Sequence, residues 1–196
     1  MAKAIATLED CEYLVEPEEK DWPPILKNTD LYGHFTRWIG FRQLWLPQHY
    51  EAQRLKKENK TVFLDSFFIK ILGYELDEPG MEWLFPQDDP YYPAFYEICN
   101  LDIHHLPDPD CIVLFDIPFD TWLQFLSTRD RTWDKTPGFI ESYEETKGAI
   151  ERTIERLCTE RRIKLVRFSC EFGDIQTQAL RLKELLLQEK VIRKGI

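Results

Sequence analysis

The sequence predicts an α/β protein with a parallel sheet flanked by helices, and three observations carry that prediction. Four short β-type runs alternate with longer helical stretches, the order that right-handed crossovers between parallel strands require. One run, Cys111-Ile-Val-Leu-Phe115, is continuously apolar, as a strand covered on both faces of a parallel sheet has to be. The chain has 196 residues, 43% of them apolar and 14% aromatic. That is enough to close one full core, so residues 1–196 read as a single domain.

The elements follow in order. Met1 to Ala6 reads as the start of a helix. Glu12-Tyr-Leu-Val15 is the first strand, and it stops at Glu16-Pro17 because proline has no N–H to give to a ladder. A polar loop with Trp22-Pro23-Pro24 comes next. Residues 30–58 read as helical, interrupted near Pro47. Thr61-Val-Phe-Leu64 is the second strand. It ends at Asp65-Ser66, and a helix runs from there to about Gly73. Residues 75–109, rich in proline and aspartate, read as a short helix plus loops. After the apolar third strand, Pro118–Ser127 starts a helix. Phe139–Leu157 is a long amphipathic one, with Ile140, Tyr143, Ile150, Ile154 and Leu157 on one face. Lys164-Leu-Val-Arg-Phe168 is the last strand and Ile175–Gln188 the last helix.

Composition excludes several functions. A net charge of −10 with scattered basic residues argues against a nucleic-acid partner. No stretch is apolar enough to span a membrane and no signal-peptide core opens the chain, so no membrane partner is expected and the expected compartment is the cytoplasm. Five widely spaced cysteines without a C-x-x-C indicate neither a zinc site nor a disulfide framework. His34, His49, His104 and His105 show no metal-binding spacing, and no G-x-S-x-G elbow is present. Trp38, Phe41 and Trp45 read as core.

Two groups of residues suit chemistry. Ligands collect at the carboxyl ends of parallel strands, and three of the four strands end in Glu16, Asp65 and Asp116. The plain alternative is that strand ends are polar because they reach solvent. The second group is Arg129-Asp-Arg131-Thr-Trp-Asp134, in a candidate lid at about 127–138. Two arginines there suit the clamping of a transferring phosphoryl group, against the alternative of a solvated charged loop.

Read together, these pieces resemble the deoxyribonucleoside kinase family, relatives of thymidylate kinase among the P-loop kinases. The resemblance runs from Ala2 to about Leu187. It rests on Glu16-Pro17, Trp22, Tyr32 five residues before Arg37-Trp38, Gln43 five residues beyond that tryptophan, Asp65, the Arg129/Arg131/Asp134 lid and Glu171-Phe172-Gly173-Asp174. It implies a three-layer P-loop-kinase-like parallel sheet and transfer of the ATP γ-phosphate to the 5′-hydroxyl of a (deoxy)nucleoside. In that scheme Glu16 is the general base, and Arg129 and Arg131 stabilise the phosphoryl oxygens. Trp22, Tyr32, Gln43 and Asp134 hold the nucleoside. Asp65 stands on the Mg²⁺ side, and Phe172 and Asp174 belong to the loop over the adenine of ATP. A nucleoside, ATP and a second copy in a helix-packed homodimer are the implied partners.

The chain departs from the family in three ways. The glycine-rich loop G-x-x-x-x-G-K-[ST] and the usual first, central strand that leads into it are absent, so ATP and Mg²⁺ are implied only with that loop supplied upstream. Ser66 stands where the family has an arginine. Tyr50 and Ile71 stand where base-reading Arg and Asp often lie. Met1 falls inside the family's first helix, which favours a start assigned too late. A truncated, non-catalytic relative that binds nucleoside or a protein is the alternative, and a nucleotide-independent interaction domain is the third reading.

Overall fold

The computed structural model describes residues 1–65, 68, 73, 78, 85–128 and 138–192, with only the backbone at 29 and 30. Helix α1 (Ala2–Glu9) buries Ile5 and Ala6, and it ends because Asp10 turns left-handed at φ 50° and returns its N–H to Ala6 O. Strand β1 (Glu12–Val15) follows. Two short helices, α2 (Pro24–Lys27) and α3 (Thr29–Tyr32), lead into α4 (His34–Lys57). Strand β2 (Val62–Asp65), helix α5 (Tyr92–His105), strand β3 (Cys111–Asp116) and helix α6 (Phe119–Thr128) come next. Helix α7 (Tyr143–Arg161), strand β4 (Lys164–Ser169) and helix α8 (Ile175–Gln188) complete the described chain.

The architecture is mixed α/β, and all strand pairing is parallel. Among the described residues the strands form two separate pairs. β1 lies beside β2 with Glu12 opposite Val62 and Val15 opposite Asp65. β3 lies beside β4 with Cys111 opposite Lys164 and Asp116 opposite Ser169. The expected strands are therefore present within a residue of their predicted ends, but divided between two sheets. One core still joins them: Phe63 of β2 packs in the cluster that holds Cys111, Val113 and Phe115 of β3 together with Val166 and Phe168 of β4.

Helix α4 runs unbroken through Pro47, where an interruption was expected. The proline forfeits the bond its N–H would give to the carbonyl four residues back, and its ring crowds that carbonyl. Trp38, Phe41, Trp45, His49 and Leu55 meanwhile seat the helix on the core. Gln48 adds to this, its Nε2 donating to Leu44 O at 3.3 Å and to Val15 O at 3.2 Å. α2 also packs closely on α4: a Cβ on Gly40 would lie 2.4 Å from Leu26 Cδ2, so any larger residue there would force the buried Leu26 side chain to move. The Arg42 guanidinium forks onto the buried Asp102, Nε to Oδ2 at 2.6 Å and Nη2 to Oδ1 at 2.7 Å, and pins α4 to α5. The aromatic core between these helices is dense, with Phe85 stacked on Phe95 at 4.4 Å and Trp38 edge-on to Phe95 at 4.9 Å.

The long helix expected from Phe139 begins four residues later, at Tyr143. Residues 138–142 form turns in which Ser142 N–H donates to Gly138 O at 3.0 Å and Ser142 Oγ to Phe139 O at 3.1 Å. The helix expected between Asp65 and Gly73 lies largely outside the described residues.

Candidate functional site

Parallel pairing brings the backbones of two of the predicted acidic residues together. Val15 and Asp65 are register partners, and Glu16, the next residue, donates its N–H to Asp65 O at 2.9 Å. Glu16 and Asp65 thus stand side by side at the carboxyl ends of β1 and β2, the end where open parallel sheets bind ligands. Pro17 then turns the chain away. Its carbonyl is held by Trp22, whose Nε1 donates at 2.8 Å. Trp22 lies edge-on to Phe41 at 4.8 Å, so this loop is clamped to α4 on its buried face.

Arg37 sits beside this clamp, its guanidinium 5.3 Å from the Phe41 ring centroid. Burial pushes its pKa down to about 10, and the nearby Glu19 partly opposes the shift. At neutral pH it therefore remains a half-buried cation close to the Glu16–Trp22 loop. In the sequence Arg37 stands out only by its spacing from Tyr32; its partial burial follows from helical phase, because Arg37, Trp38 and Phe41 lie within one helix turn.

The other predicted residues are more dispersed. Tyr32 ends α3 and is 39% exposed, and Gln43 is exposed on α4. Among the described residues no hydrogen bond or ion pair joins either of them to Glu16 or Asp65. Phe172 is half exposed and lies 5.4 Å from the Phe125 ring. Asp174 caps α8, its Oδ2 accepting from Thr177 N–H at 2.9 Å and from Thr177 Oγ1 at 2.8 Å; these bonds hold its carboxyl below the usual range. Arg129, Arg131 and Asp134 lie outside the described residues, as does Ser66.

At the end of the second sheet, Asp116 accepts from Lys147 Nζ at 2.8 Å, and its own carbonyl takes Cys170 N–H at 2.9 Å. Lys147 also reaches Ile117 O at 3.3 Å. This pairing was not foreseen, because no local pattern links residues 31 apart in sequence. Among the described residues no group of three His, Cys, Asp or Glu side chains is placed to hold a metal, and no helix is long and apolar enough to cross a membrane.

Comparison with protein-family models gives no match, and comparison with curated proteins gives none either.

Proposed function

We propose that this chain is the body of a nucleoside kinase that moves the γ-phosphoryl group of ATP to the 5′-hydroxyl of a (deoxy)nucleoside. The observation that carries the reading is the pairing of Glu16 with Asp65 at the ends of two parallel strands, beside the Trp22 clamp. Phosphoryl transfer needs positioning, charge neutralisation and one base. Glu16 accepts the proton of the hydroxyl as that oxygen bonds to phosphorus and ADP leaves. Tyr32, Gln43 and Asp134 hold sugar and base. Arg129 and Arg131 neutralise the equatorial oxygens. Phe172 and Asp174 flank the adenine.

Asp65 is exposed at the end of β2, which suits Mg²⁺ bound through one carboxylate, water and substrate phosphates. The ion would supply charge neutralisation at the phosphates. ATP and Mg²⁺ enter this reading together with a glycine-rich loop.

In the same reading the two strand pairs are halves of one three-layer P-loop-kinase-like sheet, and the loop-bearing strand runs between β2 and β3. Two observations support this. Phe63 of β2 and Val113 of β3 share one cluster although no ladder joins their strands. Met1 and Ile5 pack in that same cluster. A non-catalytic nucleoside-binding relative is the second reading, favoured by the two unjoined sheets.

Calorimetry of this chain with thymidine, deoxycytidine, deoxyadenosine and deoxyguanosine tests both. Heat is expected for at least one of them, and silence with all four removes both readings. ATP-dependent phosphorylation by the protein isolated from its native host then separates them. Binding without transfer leaves the non-catalytic relative.

A further inference from the structure

Next to the end of β3 lies a cavity of about 270 Å³ that none of Glu16, Asp65, Tyr32 and Gln43 lines. Leu114 of β3, Trp122 of α6, and Tyr143, Lys147, Ile150 and Glu151 of α7 surround it. Its origin is visible in the packing. The middle of α7 seats Ile154, Leu157 and Cys158 tightly on β3 and β4. Towards the start of α7 that seat opens, and α6 lies across the opening. α6 carries Phe119, Trp122 and Phe125 on an amphipathic face, yet none of its residues is fully buried. Trp122 stacks on Tyr143 at 4.3 Å, and the Tyr143 hydroxyl donates to Ile117 O. The rings are thereby fixed in place before any ligand arrives.

Three features set the chemistry of an occupant. An apolar cavity of about 150 Å³ takes benzene, so a volume nearly twice that suits a bicyclic ring. The lining is chiefly aliphatic and aromatic, which suits a flat apolar body. Charge selects the polar edge. Lys147 donates to Asp116, and a second of its hydrogens goes to Ile117 O. Glu151 forms no ion pair among the described residues and can only accept hydrogen bonds when ionised. The Lys147 charge is shared between Asp116 and Glu151, so the three side chains together are net negative: an anionic ligand is disfavoured, whereas a ring N–H can donate to the Glu151 carboxylate.

We propose that this cavity is a binding site for a neutral bicyclic aromatic heterocycle with a ring N–H, of the indole type. The ring lies among Leu114, Trp122, Tyr143 and Ile150, and its N–H is donated to the Glu151 carboxylate. The site is independent of phosphoryl transfer.

Indole and benzofuran are the probes, because they share shape and differ in the N–H. Titration calorimetry of the full chain is expected to give saturable one-to-one binding of indole, about tenfold tighter than benzofuran, the worth of one hydrogen bond to a charged group. In Glu151→Ala the two probes should bind alike. Ile150→Phe should fill the space and abolish binding of both while the melting temperature holds. If that variant does not fold, Thr146→Leu fills the cavity from the same helix. Absence of saturable indole binding, equal affinity for the two probes in the unsubstituted protein, or binding that survives in a folded cavity-filled variant would each overturn the proposal.

Discussion

The β3–β4 and β1–β2 pairs are both parallel, but burial differs along every strand. In β3 and β4, Ile112, Leu114, Val166 and Phe168 are buried, with α7 on one side through Ile154 and Leu157 and α8 on the other through Leu182 and Leu186. The four-residue strands β1 and β2 contain no fully buried residue, and Tyr13 and Val15 are exposed. Parallel strands normally require cover on both faces. The first pair has it and serves as the scaffold. The second leaves two carboxylates accessible at its end, which a binding or catalytic site needs and a core does not.

The sharpest way to break this contrast is to cut equivalent apolar side chains from each half. Leu186→Ala, at 1% exposure beneath β4, should cost about 2–5 kcal/mol. Leu14→Ala in β1, only half-buried, should cost about 1 kcal/mol, in proportion to the smaller area it hides. Urea unfolding of both variants decides it; equal losses would mean that the β1–β2 pair is as much scaffold as the other.

The second test moves from stability to chemistry. Glu16→Gln keeps the shape and the backbone bond to Asp65 but removes the proposed base. In the host protein kcat should fall at least about a hundredfold, about 2.7 kcal/mol, with nucleoside affinity nearly unchanged. Asp116→Asn, at the end of the scaffold pair and tied to Lys147, should lower kcat by less than about tenfold. An unchanged kcat in Glu16→Gln would remove the general-base role.

How much of this was visible in the sequence depends on the range over which each feature is encoded. The four strands and helix α8 were legible because their patterns are local, as in the continuous apolar run Cys111–Phe115. The Glu16–Asp65 neighbourhood was legible only as two strand ends, and parallel pairing supplied the rest. Three things were not legible. Helix α4 continues through Pro47 because tertiary seating by Phe41 and Trp45 outweighs the lost bond and the crowding. Residues 139–142 look helical by period yet form turns, with Tyr143 N–H reaching back only three residues, to Ile140 O. The division of the strands into two pairs depends on ladders between distant segments, which no window of sequence records.

Acid should act on the aromatic side of the molecule before it acts on the scaffold. His49 is buried on α4, and burial pushes its imidazole down to about 4. Its folded value lies below that of the unfolded chain, so the unfolded state takes up the proton first. The stability this neutral histidine contributes is complete above about pH 6.5. It is lost as pH falls from there towards 4, at about 1.4 kcal/mol for each unit. His49→Gln should flatten the melting temperature between pH 6.5 and 4. A slope equal to that of the unsubstituted protein would place the acid sensitivity elsewhere.

The smallest effect belongs to Asp174, at the boundary between scaffold and site. Its carboxylate accepts from Thr177 N–H, satisfying one of the donors that a helix leaves free at its start. Because the bonds stabilise the charged form, the folded carboxyl ionises below its unfolded value. The contribution is therefore present above about pH 4 and disappears as pH falls through the folded value. Asp174→Ala should lower the melting temperature slightly at pH 7, and the difference should shrink as pH falls below about 4. Asp174→Asn, which keeps an acceptor but no charge, should recover much of the loss at pH 7. In the kinase reading the same residue borders the adenine loop. A change in ATP affinity in Asp174→Asn without a change in melting temperature would assign it to the site, and the reverse would assign it to the helix.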